Sequence, residues 1–177
     1  MTVVRAMVEA DVRAVAGLRV AGWRWAYAGI VPQPYLDAMD VEVDAAERRE
    51  MLVRGAGRAH NLVAEDAVGE VVGWAAFGPY RGEPAGGPLA ELYTLYVLPA
   101  RVGTGVGRAL TAEVLRRAAA LGCSRLALWV VAENARARRF YAAAGFAPDG
   151  TAAVELYGGA PVTEVRYVRD LPPAPLI

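Results

Sequence analysis

The chain has 177 residues, of which 19 are basic, 19 acidic and one histidine, so its formal charge at neutral pH is zero. That length suits one domain around one core, and the lack of a basic excess argues against a nucleic-acid partner, whose phosphates demand a clustered cationic face. All 19 basic residues are arginine, which excludes Schiff-base catalysis, a pyridoxal phosphate anchor and a lysine-bearing phosphate loop.

An apolar run from Thr2 to Met7 reads as a strand, and from Glu9 to Trp25 the spacing of Val12, Val15, Leu18 and Ala21 predicts a helix. The pattern breaks at GIVPQP, residues 29–34, before a polar helix with Glu47, Arg48, Arg49 and Glu50 that ends near Gly55 and Gly57. His60 to Glu65 and Glu70 to Phe77 read as an antiparallel hairpin whose Gly69 supplies a positive φ at the turn. Residues 79–88, PYRGEPAGGP, read as a surface loop.

The second half is more regular. A strand from Ala90 to Leu98, a helix from about Gly105 to Leu121, a strand from Ser124 to Val131 and a helix from about Ala135 to Ala144 follow in turn. Both strands are apolar on both faces, which predicts a central, parallel pair covered by helices. Gly145 ends the last helix, and Val162 to Val168 reads as a final strand, giving one domain over 1–171 and a short proline-rich tail at 172–177. Cys123 and His60 are the only residues of their kinds, too few for a disulfide, a cysteine/histidine zinc site or a spare triad histidine, so no metal is expected. Cys123 reads as a small buried residue and His60 as a structural one. No apolar run approaches the roughly 18 residues of a membrane span, and the start lacks a signal peptide's hydrophobic region, so a cytoplasmic protein without a membrane partner is expected.

The strongest local signal is LPARVGTGVGRAL, where a strand stops at Pro99 and a helix starts among glycines 103, 105 and 107. Such a loop binds anions: glycines let the backbone curl so that several N–H groups point at one spot, and the helix start adds roughly half a positive charge. Arg101 and Arg108 flank it, and the plainer alternative is a turn that serves only close packing. A dinucleotide fingerprint starting at Gly103 would need a small residue where Arg108 stands and would belong on the first strand.

These residues resemble the GNAT superfamily of acyl-CoA N-acyltransferases, whose phosphate motif Gln/Arg-x-x-Gly-x-Gly/Ala follows a strand. Gly105 and Gly107 take the two small positions. The first position departs from the pattern, since it falls on Val102 with Arg101 one residue earlier. ENARARRFYAAAGF resembles a second signature, which places Asn134 and Tyr141, and AELYTLYVLP resembles the strand before the loop. RVAGWRWAYAGIVPQPYLDAMDVE is similar to the substrate-side helices of many bacterial members.

The resemblance implies a single α/β (α+β) domain with a mixed, mostly antiparallel central sheet and helices on both faces, with acetyl-CoA between two parallel strands ending near Leu98 and Val131. The implied activity is transfer of acetyl from acetyl-CoA to a primary amine of a small molecule, by direct attack on the thioester. Gly103, Thr104, Gly105, Val106, Gly107 and Arg108 would hold the pyrophosphate, and Leu95, Tyr96 and Val97 would pair with the pantetheine arm. Asn134 would bond the cofactor arm, cap the following helix, or do both. The amide of Val97 or Leu98, where the strand is expected to bulge and splay, would meet the oxyanion.

Tyr141 matches the family's general acid, since a phenol with a reference pKa near 10 is protonated at neutral pH; the alternative is a core aromatic beside Phe140. Freeing the lone pair of a lysine-like amine costs about 4 kcal/mol, against about 1.4 for an α-amine, so a base matters more for the first. Glu91 is the leading candidate, acting through water, and Glu133 the second. Trp23, Tyr27 and Tyr35, crowded together with Trp25, are expected to line the acceptor pocket, with Asp37, Asp40 and Glu42 nearby. The rival activities are acetylation of protein N-termini or lysines and, in another class, a CoA-binding sensor without turnover. The oligomeric state is not legible in the sequence, though homodimer pairing through the C-terminal strands is common in the proteins it resembles.

Overall fold

The computed structural model describes residues 2–82 and 88–172. Half of the expected 79–88 loop and nearly all of the tail lie outside them. Seven strands, β1 Val3–Ala6, β2 His60–Glu65, β3 Val71–Pro79, β4 Leu89–Val97, β5 Arg125–Val131, β6 Ala147–Tyr157 and β7 Ala160–Asp170, form one sheet in the order β1-β2-β3-β4-β5-β7-β6. Between them run α1 Val12–Ala26, α2 Gln33–Asp37, α3 Val41–Arg54, α4 Val106–Ala120 and α5 Ala135–Ala143. Only β4 and β5 are parallel; every other neighbouring pair is antiparallel. The mixed, mostly antiparallel sheet with helices on both faces is therefore as the sequence led us to expect.

Side chains alternate across a strand, so one strand feeds two cores. Leu62 and Ala64 of β2 and Ala75 and Phe77 of β3 pack with Leu110 and Val114 of α4. Val63, Trp74 and Ala76 point the other way, against Val12, Val15 and Leu18 of α1 and Ala45 of α3. Fully burying each of the larger side chains contributes about 1.5–3 kcal/mol. The close approach of α4 depends on Gly73, where a Cβ would lie 2.7 Å from Val106 and 2.8 Å from Leu110.

Two elements escape the sequence pattern. Strand β6 is exposed along most of its length, so it has no apolar alternation to betray it; the Gly158-Gly159 pair, both with positive φ, is the two-residue hairpin signal that marks its junction with β7. The short α2 lies across the break at GIVPQP, with Pro34 at its start, where a proline is tolerated.

The feature that shapes the site is in β4. Thr94 pairs with Ala76 and Leu92 with Phe77, which leaves Tyr93 as an extra residue without a partner on β3. This bulge lies at Tyr93, four or five residues before the expected Val97 or Leu98. An uninterrupted strand puts residues five apart on opposite faces, but the extra residue turns Tyr96 to the same face as Glu91. The parallel ladder to β5 also ends there: it joins Leu89–Leu92 to Arg125–Leu128 and goes no further.

Candidate active site

Three of the longer helices begin in different ways. Asp40 caps α3, accepting from the amides of Glu42 and Val43, and Asn134 caps α5 through Ala137 N at 3.1 Å. The N-cap of α4 is Gly105, which has no side chain to offer. Here the amides of Gly103, Gly105, Val106, Gly107 and Arg108 donate to no backbone carbonyl among the described residues, while that of Thr104 is spent on Arg101 O at 3.3 Å. Five N–H groups and a helix dipole thus converge on an open loop, an anion cradle. Gly103 and Gly105 have φ of +82° and +96°, and a Cβ on either would meet nothing closer than Arg108 Nη2 at 3.9 Å. The glycines are needed for their conformation and not for space. Gly107 is different: a Cβ there would press on the Phe140 ring at 3.3 Å.

The cradle opens into a cavity of about 530 Å³ lined by Leu95, Tyr96, Val97, Gly103, Gly105, Gly107, Arg108, Asn134, Phe140 and Tyr141, with Trp25 and Arg136 at its edge. Thr104 and Val106 do not line it; the Val106 side chain is buried in the core, so only its amide faces the loop. Leu98 N donates to Val72 O at 3.0 Å, and an antiparallel ladder bonds every second residue, so Leu95 and Val97 turn their N–H and C=O groups away from β3 into the gap beside β5. Of the two amides expected at the oxyanion, that of Leu98 is therefore consumed and that of Val97 is directed to the gap. Tyr141 packs against Phe140 and Phe146. Burial raises its hydroxyl above the ordinary phenol value, with no hydrogen bond contributing, so it remains protonated at neutral pH.

A second cavity, of about 800 Å³, lies on the opposite side of Tyr27, Tyr96 and Trp129, which line both. Trp23, Tyr27 and Tyr35 line it together with Tyr157. Trp23 Nε1 donates to the Tyr96 hydroxyl at 2.6 Å, which fixes the shared wall. Glu91 also lines this cavity and is 2 % exposed. Its Oε1 accepts from Arg81 Nη2 at 2.6 Å and Nε at 3.2 Å, and its Oε2 from Arg81 N at 3.0 Å. Glu164, which accepts from the Tyr157 hydroxyl at 3.0 Å, is held above the usual carboxylate range chiefly by burial.

The other candidates are elsewhere. Glu133 lines neither cavity; Arg101 pairs with Asp66 at 2.6 Å; Asp37 binds Gln33, Asp40 is a cap, and Glu42 pairs with Arg13. Glu155 and Tyr157 lie on β6, which has no apolar alternation to mark it, and Glu164 lies on β7, where nothing in the sequence distinguishes it from a solvated acid. His60 stacks on Phe77 at 4.9 Å, and burial raises the half-buried Cys123 thiol, which disfavours its thiolate. Among the described residues no helix is long and apolar enough to cross a membrane.

The chain thus brings together an anion cradle at a helix start, a strand splayed from its parallel neighbour, and a second cavity across a shared aromatic wall. A family model described as the acetyltransferase (GNAT) family matches residues 20–146. An uncharacterized N-acetyltransferase of Bacillus subtilis is 33% identical over 134 residues, 76% of this chain and 74% of its own length. One from Mycobacterium tuberculosis is 35% identical over 142 residues, covering 80% and 85%. Among solved structures, an N-acetyltransferase of Thermoplasma acidophilum in complex with coenzyme A superposes with a TM-score of 0.77 at 19% identity, covering 96% of this chain and 99% of that one. A phosphinothricin acetyltransferase of Sinorhizobium meliloti in complex with acetyl-CoA gives 0.72 at 23%, covering 99% and 95%. The chain belongs to the GNAT acetyltransferase family, and it is an N-acetyltransferase.

Proposed function

We propose that the protein transfers the acetyl group of acetyl-CoA to a primary amine of a small molecule. The observation that carries this reading is the meeting of two cavities at Tyr27, Tyr96 and Trp129, because direct transfer requires both reactants on either side of one point. The free amides of Gly103, Gly105, Val106, Gly107 and Arg108 suit a pyrophosphate, and two related structures are complexes with coenzyme A or acetyl-CoA. In this reading Leu95 and Val97 pair with the pantetheine arm, Tyr96 walls it off, and the Asn134 side-chain amide donates to it while its oxygen caps α5.

The amine nitrogen attacks the thioester carbonyl, a new C–N bond forms, the C–S bond breaks, and the departing thiolate takes a proton from the Tyr141 hydroxyl. The Val97 amide meets the carbonyl oxygen as it gains charge. Glu91 accepts the amine's proton through water; Glu164 is the alternative base, favoured by its raised proton affinity and by oxygens less heavily engaged than those of Glu91. Trp23, Tyr27 and Tyr35 hold the body of the acceptor. Release of free thiol from acetyl-CoA across a panel of small amines, amino-terminal peptides and aminoglycosides tests the reading. Acetyl-CoA at sub-millimolar concentration should raise the melting temperature, and NAD should not; no shift with any CoA species overturns it.

A further inference from the structure

The wall of the acceptor cavity is divided by charge. Arg19 and Arg48 line it from α1 and α3, while Glu91, Glu155 and Glu164 line it from β4, β6 and β7. On the basic side, Asp44 is the buried counter-charge: its Oδ1 accepts from Arg19 Nη1 at 2.6 Å, and its Oδ2 is 3.8 Å from Arg48 Nε, beyond hydrogen-bond reach. Both atoms of that longer contact are buried without a hydrogen-bond partner. Glu47 is also 3.8 Å from Arg48, but its side chain is 60% exposed, and water screens such a pair. Two guanidiniums thus share one buried carboxylate. Each lies over a ring, Arg19 5.1 Å from the Trp23 centroid and Arg48 5.8 Å from that of Trp74, which holds the planar forks in place.

On the acidic side the balance is reversed. Arg81 pairs with Glu91, and Glu164 is met by a neutral phenol. Glu164 acts electrostatically on Tyr27 and Arg19 and Arg48 act on Tyr96, so both walls reach the residues at the junction with the cofactor-side cavity.

We infer that the acceptor is an amine that also carries an anionic group, a carboxylate or an oxyanion of similar shape, which Arg19 and Arg48 bind while the ammonium end faces Glu91 and Glu164. This rests on the amine-acetylation reading and narrows it. A guanidinium grips such an anion through two parallel N–H donors, and the two arginines keep most of their ten donors free of described partners. The same arrangement disfavours a protein amino terminus, which has a peptide carbonyl where the anion would be.

The test is thiol release with matched probes: leucine, leucinamide and 3-methylbutylamine; phenylalanine, phenylalaninamide and 2-phenylethylamine; 6-aminohexanoic acid and hexylamine. The acid of at least one set should exceed its amide or bare amine tenfold or more in kcat/KM. Arg48→Gln should shrink that ratio below threefold and leave the KM for acetyl-CoA unchanged, and Arg48→Lys should restore part of it. Amides and bare amines that match or exceed the acids in every set overturn the inference, a result that needs no variant to fold. Binding provides a second arm. With coenzyme A present, 4-methylpentanoate or 3-phenylpropionate should raise the melting temperature of the wild type more than the corresponding amide does, and this difference should vanish in Arg48→Gln; equal shifts overturn the subsite. Arg48-dependent carboxylate binding without thiol release from any amine upholds the subsite and overturns amine acetylation instead.

Discussion

The cavity beside the glycine loop draws on unpaired peptide N–H groups at 103 and 105–108 and on the backbone of 95 and 97, with the side chains of Asn134 and Tyr141 beside them, whereas the larger cavity presents side chains from α1, α2, α3, β4, β5, β6 and β7. The first site needs particular φ angles, and therefore glycine at particular spacings within a few residues. The second needs only that side chains of some kind meet in space, and they come from positions as far apart as Arg19 and Glu164. A backbone site leaves a local motif and tolerates little change; a side-chain site leaves none and is free to vary the ligand it takes.

The comparison breaks most readily at Gly105. A valine there has room but not the conformation, so Gly105→Val should strain the backbone by about 1–2 kcal/mol. It should also weaken acetyl-CoA binding by about 100-fold, as expected when two charge-assisted hydrogen bonds are lost; an unchanged Kd would show that the loop amides do not hold the cofactor. Next in size is Tyr141→Phe, expected to lower kcat by about 10²-fold with the KM for acetyl-CoA unchanged. Wild-type turnover would return Tyr141 to the core.

The carboxylates follow. Glu91→Gln and Glu164→Gln should each be compared in kcat/KM across pH, and the base is the one whose loss removes the acidic limb. If it is Glu164, that limb should lie above the ordinary carboxylate range, because burial favours its neutral form. The same shift has a sign for stability. A carboxyl whose folded pKa is raised contributes stability below its unfolded value and loses it as pH rises through the folded one. Glu164→Gln should therefore flatten the decline of melting temperature on going from acid toward neutral pH.

Smaller effects sharpen the division between cap and ligand. Asn134→Asp keeps the oxygen that caps α5 and removes the amide donors, so cofactor affinity should fall with little change in stability, whereas Asn134→Ala should also lose about 1 kcal/mol of helix capping. Smallest is Arg101→Ala: its pair with Asp66 is 45% exposed on the arginine side, where water screens the attraction. Cofactor affinity should stay within twofold; a tenfold loss would mean that a side chain shares the work of the loop.

The same contrast explains what could be read in advance. The glycine loop and the parallel strands were legible because their spacing is local and their geometry is set by φ or by side-chain alternation, and Asn134 and Tyr141 because they stand in a short stretch that resembles a family signature. Trp23, Tyr27 and Tyr35 were visible as a crowd within one stretch. Glu164 and Tyr157 were not, because β6 is solvated on most of its surface and lacks alternation, and because a glutamate in the final strand looks like any other solvated acid until the sheet order carries it beside Tyr27. The bulge was misplaced for a related reason. Nothing in ELYTLYV marks Tyr93 as the extra residue; only the register with β3 does.

The short β4–β5 ladder has a mechanical meaning. Four residue pairs join the half of the sheet formed by β1–β4 to the half formed by β5–β7, and past them the two halves diverge. An extended ligand arm lying along Leu95 and Val97 would act as a clasp across that opening, so the halves should breathe less when it is bound. Hydrogen exchange at those two amides should then slow on adding coenzyme A while that of Tyr96, already bonded to β3, stays as it was, and the C-terminal half should borrow part of its rigidity from the ligand.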